Sequence, residues 1–132
     1  MPINVRLRSS HPKLLAAVGL MESNIEAPLD LTALAANVDL SKRQLERLFN
    51  RHTGTSTMRH YRFLRLQRAA VFLTQTSLAV AEIALACGYR SLSHFAKDYR
   101  RQFGCTPVQE RSGSGPQAAA GEPQSRRSAS SG

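Results

Sequence analysis

The chain has 132 residues, room for one domain of ordinary size or two very small ones. Eighteen Lys and Arg against nine Asp and Glu leave a formal charge of +9, which favours a polyanionic partner such as nucleic acid or a membrane surface. No apolar run approaches the roughly 20 residues of a membrane span, and the two cysteines, Cys87 and Cys105, have neither the spacing of a zinc site nor the number of a disulfide framework. With no signal peptide to read, the cysteine usage points to a reducing, cytoplasmic setting.

Residues 1–9 alternate Ile3, Val5 and Leu7 with Asn4, Arg6 and Arg8, the pattern of an extended linker or strand end. Ser10 is then expected to cap a helix with Pro12 in its first turn. Leu14, Val18, Met21 and Ile25 follow at helical spacing, and Pro28 ends the segment. Asp30 is a plausible N-cap for a short helix carrying Leu31, Leu34, Ala35 and Val38. The stretch Asn37-Val38-Asp39-Leu40 makes a tight turn. Ser41 opens the next helix, and Gln44 completes a capping box with it.

This helix buries Leu45, Leu48 and Phe49 on one side. The other side carries Arg43, Glu46, Arg47 and Asn50 at helical spacing, and Gly54 ends it. A long helix over about 57–74 follows, with Tyr61, Leu64, Leu66, Ala69, Ala70 and Leu73. Its apolar residues exceed one narrow stripe, so it is expected to pack on two sides.

The pattern then repeats. Ser91 echoes Ser41, Phe95 echoes Leu45, Tyr99 echoes Phe49, Arg101 echoes Arg51 and Gly104 echoes Gly54, all at an offset of 50. Val80, Ile83 and Ala84 echo Leu31, Leu34 and Ala35, and Gly88 supplies the turn. Thr106 with Pro107 and Gln109 is a further capping box. Two copies of one supersecondary unit are implied. From 112 to 132 the chain is Ser, Gly, Pro, Ala and Gln around one Arg-Arg pair, a composition that predicts disorder.

Charge is zoned along this plan. From Lys42 to Arg68 eight basic residues face one acid, Glu46, whereas residues 20–40 carry only acids. Each copy reads as a short helix, a turn and a longer helix opened by serine, the helix-turn-helix arrangement. In that motif the second helix enters the DNA major groove with its N-terminal half toward base edges. Arg pairs bidentately with guanine there, and Glu accepts from cytosine amino groups.

The stretches "LTALAANVDLSKRQLERLFNRHTGTS" and "VAEIALACGYRSLSHFAKDYRRQFGCTP" resemble the paired helix-turn-helix subdomains of AraC/XylS-type bacterial transcription regulators. The resemblance covers about residues 10–111 and is closer to the GlxA-like branch, through "HPKLLAAVGLMESNIEAPLDL", "SKRQLERLF" and "LRLQRAAVFLTQTSLAVAEIALACGY". It implies base contacts from Arg43, Glu46 and Arg47 in the first copy and from Leu92, Ser93, His94 and Lys97 in the second. Leu92 is an addition from the family, suited to a thymine methyl group. Phosphate contacts would come from Ser41, Lys42, Arg51, Arg62, Arg90, Ser91, Arg100 and Arg101. The branch carries an upstream sensor domain similar to PfpI-type amidotransferases. That domain is expected to be missing here, so oligomerisation is expected to need a domain absent from this chain.

Two positions depart from the family. Thr57 stands where proline is usual, so the start of the long helix is expected to be less fixed. Ala79 stands where Ser or Thr caps, a loss of about 1 kcal/mol unless Ser77 substitutes. Arg65 is as well placed to pair with an acid such as Glu82 or Asp98 as to touch DNA. His11, His52 and His60 read as surface or capping groups, and Phe95, Tyr99 and Phe103 as core.

The expectation is an all-α, seven-helix, bi-lobed domain. It comprises a linker at 1–9, a first helix-turn-helix subdomain at 10–56, a linker helix at 57–76, a second subdomain at 77–111 and a disordered tail at 112–132. Its expected function is sequence-specific binding of double-stranded DNA to control transcription, by activation through RNA polymerase, with the two reading helices in successive major-groove segments. No catalytic residue, metal, cofactor or membrane partner is expected. A non-specific nucleic-acid binder, or a protein-interaction module that has lost specific DNA binding, is the alternative.

Overall fold

The computed structural model describes residues 11–113. Among them run seven helices and no strand: α1 (Pro12–Ser23), α2 (Leu31–Asn37), α3 (Lys42–Thr53), α4 (Thr57–Gln75), α5 (Val80–Ala86), α6 (Leu92–Phe103) and α7 (Pro107–Arg111). The expectations for residues 1–9, for Ser10 and for the tail from 114 onward lie outside the described residues. The chain divides into two compact units inside α4, one ending at Leu64 and the other starting at Arg65.

In the first unit His11 stands at the N-cap of α1: its ring Nδ1 accepts from Lys13 N at 3.2 Å, and Pro12 follows in the first turn. Leu14, Ala17, Val18 and Met21 form its buried face. Asp30 caps α2 by accepting from Ala33 N. The turn after α2 passes through Asp39 at φ +56°, a left-handed conformation that Asp tolerates better than most residues. Ser41 and Gln44 form the expected capping box at the start of α3. Leu45 and Phe49 are fully buried, and Gly54 ends the helix at φ +76°.

One tyrosine ties this unit together. The Tyr61 hydroxyl on α4 accepts from Leu29 N at 3.0 Å and donates to Asn24 O, so the backbone between α1 and α2 is held by a buried side chain. His60, beside it, is core: it is 6% exposed and its ring lies against Phe49 and Phe63. That corrects the surface reading of this histidine.

The second unit repeats the plan. Leu66, Ala69, Ala70 and Leu73 of α4 are buried, as are Ile83 and Ala84 of α5 and Phe95 and Tyr99 of α6. Ala79 heads α5 without a side-chain cap, although Glu82 Oε1 accepts from Ala79 N at 2.8 Å, half of a capping box. The turn into α6 passes through Gly88 at φ +86°, the counterpart of Asp39. Among the described residues Arg65 forms no ion pair with an acid. It donates to Cys87 O and Gly88 O at 2.9 and 3.0 Å and lies over the Tyr89 ring, because a fork of donors fits two adjacent carbonyls of the turn.

Two further side chains close this unit. Arg111 of α7 donates to Leu73 O and Phe72 O in the last turn of α4 and to Thr76 O and Leu78 O just beyond it. Glu110, fully buried, accepts from the Tyr99 hydroxyl at 2.9 Å and from Cys105 Sγ at 3.5 Å.

Candidate nucleic-acid interface

A basic face of the first unit lies on the exposed side of α3. Burial of Leu45 and Phe49 leaves Lys42, Arg43, Arg47, Asn50 and Arg51 in solvent. Arg43 and Arg47 stand one turn apart, and Lys42 sits in the first turn. The first turn holds no acid. Cations at a helix N-terminus add to the positive end of the helix dipole, an arrangement that favours an anion in front of it. Ser41 is exposed, with Oγ accepting from Gln44 N. Arg62, on α4, is exposed too.

Glu46 does not join this face as expected. It is half-buried, and its Oε1 accepts from both Thr57 N at 2.9 Å and Thr57 Oγ1 at 3.1 Å. The carboxylate turns to the start of α4, because the buried Thr57 offers two donors there. The start of α4 is therefore well fixed, against the expectation drawn from the absence of proline.

In the second unit α6 shows the same side. Leu92, Ser93, His94 and Lys97 are exposed, Leu92 by 48%. Ser91 Oγ caps the helix by accepting from His94 N, and Arg90 and Arg100 are in solvent. Again no acid occupies the first turn. The buried Asp98 underlies this face. Its carboxylate accepts from the Tyr89 hydroxyl at 2.9 Å and lies 3.5 Å from His94 Nε2 and 3.8 Å from Arg101. The His94 ring also meets Tyr89 edge-on at 5.4 Å. Asp98 stands four residues after His94 and three before Arg101, the helical spacing of facing pairs, and that spacing was the available signal for its role.

Burial pushes the Cys87 thiol up to about 11, with Arg68 and then Arg65 opposing the shift. Burial and then Glu110 push Cys105 up to about 12. Both thiols are free and protonated in the neutral range, which makes them poor nucleophiles. Burial and the Glu110 hydrogen bond raise Tyr99 as well. Among the described residues no group of His, Cys, Asp and Glu is placed to hold a metal, and no helix is long and apolar enough to cross a membrane.

Residues 34–113 match the model of a family described as a helix-turn-helix domain. A transcriptional regulator with an AraC-type DNA-binding domain from Chromobacterium violaceum is 47% identical, with a TM-score of 0.76 over 85% of this chain and 95% of that one. The chain belongs to the AraC-type helix-turn-helix DNA-binding domains. The DNA-binding domain of the global transcriptional factor AdpA, solved in complex with a target DNA, is 28% identical at a TM-score of 0.73, covering 85% of this chain and 97% of that one. Among curated relatives, the HTH-type transcriptional regulator GbdR of Pseudomonas aeruginosa is 47% identical over 112 residues, 85% of this chain and 30% of the relative. GlxA of Rhizobium meliloti is 44% identical over 111 residues, 83% of this chain and 34% of the relative. This AraC-type chain thus spans about a third of the length of the curated relatives it matches.

Proposed function

We propose that the chain binds duplex DNA at promoter sites through α3 and α6, each entering a major-groove segment, and so controls transcription in the cytoplasm. One observation carries this: both helices of the repeat are capped by serine, buried on their Leu45/Phe49 or Phe95/Tyr99 side, and bare of acids in their first turn where the exposed side begins. A complex of AdpA's similar domain with target DNA supports the same use of the fold.

In this reading Arg43 and Arg47 face bases from α3, each able to pair bidentately with guanine. Leu92, Ser93, His94 and Lys97 face bases from α6. Ser41, Lys42, Arg51, Arg62, Arg90, Ser91, Arg100 and Arg101 meet phosphates, which set register and salt dependence. RNA polymerase is the protein partner of an activator of this kind.

Selection from random duplex DNA, followed by titration of an enriched site against salt, tests the proposal. Two short motifs separated by about one helical turn support it. A pool that emerges unenriched, with affinity governed by salt alone, overturns it in favour of non-specific binding.

A further inference from the structure

The offset-50 repeat places Glu46 opposite Ala96 and Thr57 opposite Pro107. Both members of each pair sit at the same junction, where the reading helix meets the start of the next helix. In the second copy Pro107 occupies the first position of α7 and has no N–H to satisfy. Thr106 caps that helix through Gln109 N, and Gln109 Oε1 returns to Thr106 N. In the first copy Ser56 Oγ accepts from Arg59 N, but Arg59 has no acceptor to send back. Thr57, fully buried, brings an N–H and a hydroxyl that Pro107 lacks, and Glu46 Oε1 takes both. The carboxylate also lies at the positive end of the α4 dipole.

We propose that Glu46 is a positioning residue: its carboxylate locks the start of α4 onto the reading helix α3, holds Arg43 and Arg47 in place, and reads no base. The proposal rests on the DNA-binding reading above. Glu46 and Thr57 on one side, Ala96 and Pro107 on the other, are two chemical solutions to one junction. The first satisfies a helix-initial N–H with a carboxylate, and the second removes the N–H. Withdrawing the Glu46 oxygen toward a base would strip two donors of a buried residue of their acceptor.

Three variants of the full chain test it: E46Q, E46A and the double variant E46A/T57P, which copies the Ala96/Pro107 junction. Gln keeps an acceptor for Thr57, so E46Q is expected to hold target affinity within about twofold and to leave base preference unchanged. Well below its melting temperature, E46A is expected to bind the target about tenfold more weakly with the same preferences, an effect of the size that loss of a capping group supports. E46A/T57P is expected to recover both melting temperature and affinity. A base reader behaves otherwise: E46Q would shift preference at one base pair from cytosine toward adenine, and the double variant would keep the altered specificity of E46A. Either result overturns the proposal, as does E46A binding like the parent. If the parent itself selects no site, the DNA-binding reading fails. The lock is then judged by melting temperature and by hydrogen exchange at the Thr57 amide, which E46A should accelerate and E46Q should not.

Discussion

The guanidinium of Arg65 lies 4.4 Å from the centroid of the Tyr89 ring while it donates to the carbonyls of Cys87 and Gly88. One side chain from the long helix thus builds the turn between α5 and α6, and through Tyr89 it supports the buried Asp98 under the second reading face. Arg65→Lys keeps the charge but lacks the fork. It is expected to lower unfolding free energy by about 2 kcal/mol, the range for hydrogen bonds to charged groups. Chemical denaturation measures this. The salt dependence of DNA binding should not change, because this guanidinium is directed at the protein; a lower slope would place Arg65 at phosphate instead.

Burial of the two thiols gives the fold an alkaline limit. Cys87 is raised to about 11 and Cys105 to about 12 from an ordinary value near 9. Well below pH 9 both are protonated folded or unfolded and contribute no pH dependence. Between pH 9 and 11 the unfolded chain releases protons that the folded chain retains, so stability falls as pH rises, by up to about 1 kcal/mol per pH unit for a fully shifted thiol. Denaturation at pH 8, 9, 10 and 11 should show a steeper fall for the parent than for C87A. Equal slopes would mean that Cys87 reaches solvent in the folded chain.

Arg111 clips the end of α4 by reaching the carbonyls of Phe72, Leu73, Thr76 and Leu78. Arg111→Ala is expected to cost about 2 kcal/mol, since several carbonyls lose a charged donor at once. The melting temperature should drop, and amide exchange should accelerate across residues 76–79 before the rest of the second unit. Uniform acceleration throughout that unit would argue against a local clip.

Local chemistry was the legible part of this fold. Ser41 with Gln44, Asp30, Gly54 and Thr106 with Gln109 act within a few residues, so spacing alone marked their helices. The offset between Leu45 and Phe95 then exposed the second copy, and with it the charged faces of α3 and α6. What spacing could not show were partners brought together by packing. Tyr61 reaches Asn24 and Leu29, Arg111 reaches Leu73, and Tyr99 meets Glu110 only once the helices have docked. Glu46 is the instructive case: on a helical wheel it shares the side of Arg43 and Arg47. Three-dimensional proximity to Thr57 supplies a competing partner that no local pattern displays.

Arg47 and Arg51 stand one turn apart on the exposed side of α3, yet they are expected to do different work. Arg47 lies in the N-terminal half of the helix, proposed to face bases, and Arg51 lies in its last turn, where a cation also complements the helix dipole. Arg47→Ala should weaken the selected site by about 1–3 kcal/mol and relax preference at one base pair, with little loss on random duplex. Arg51→Ala should weaken every sequence alike and lower the slope of log affinity against log salt by about one. Anisotropy titrations of both variants on target and random duplexes, at four salt concentrations, separate the two roles. Equal losses for Arg47→Ala on both DNAs would reduce it to a phosphate contact and leave base reading in this unit to Arg43.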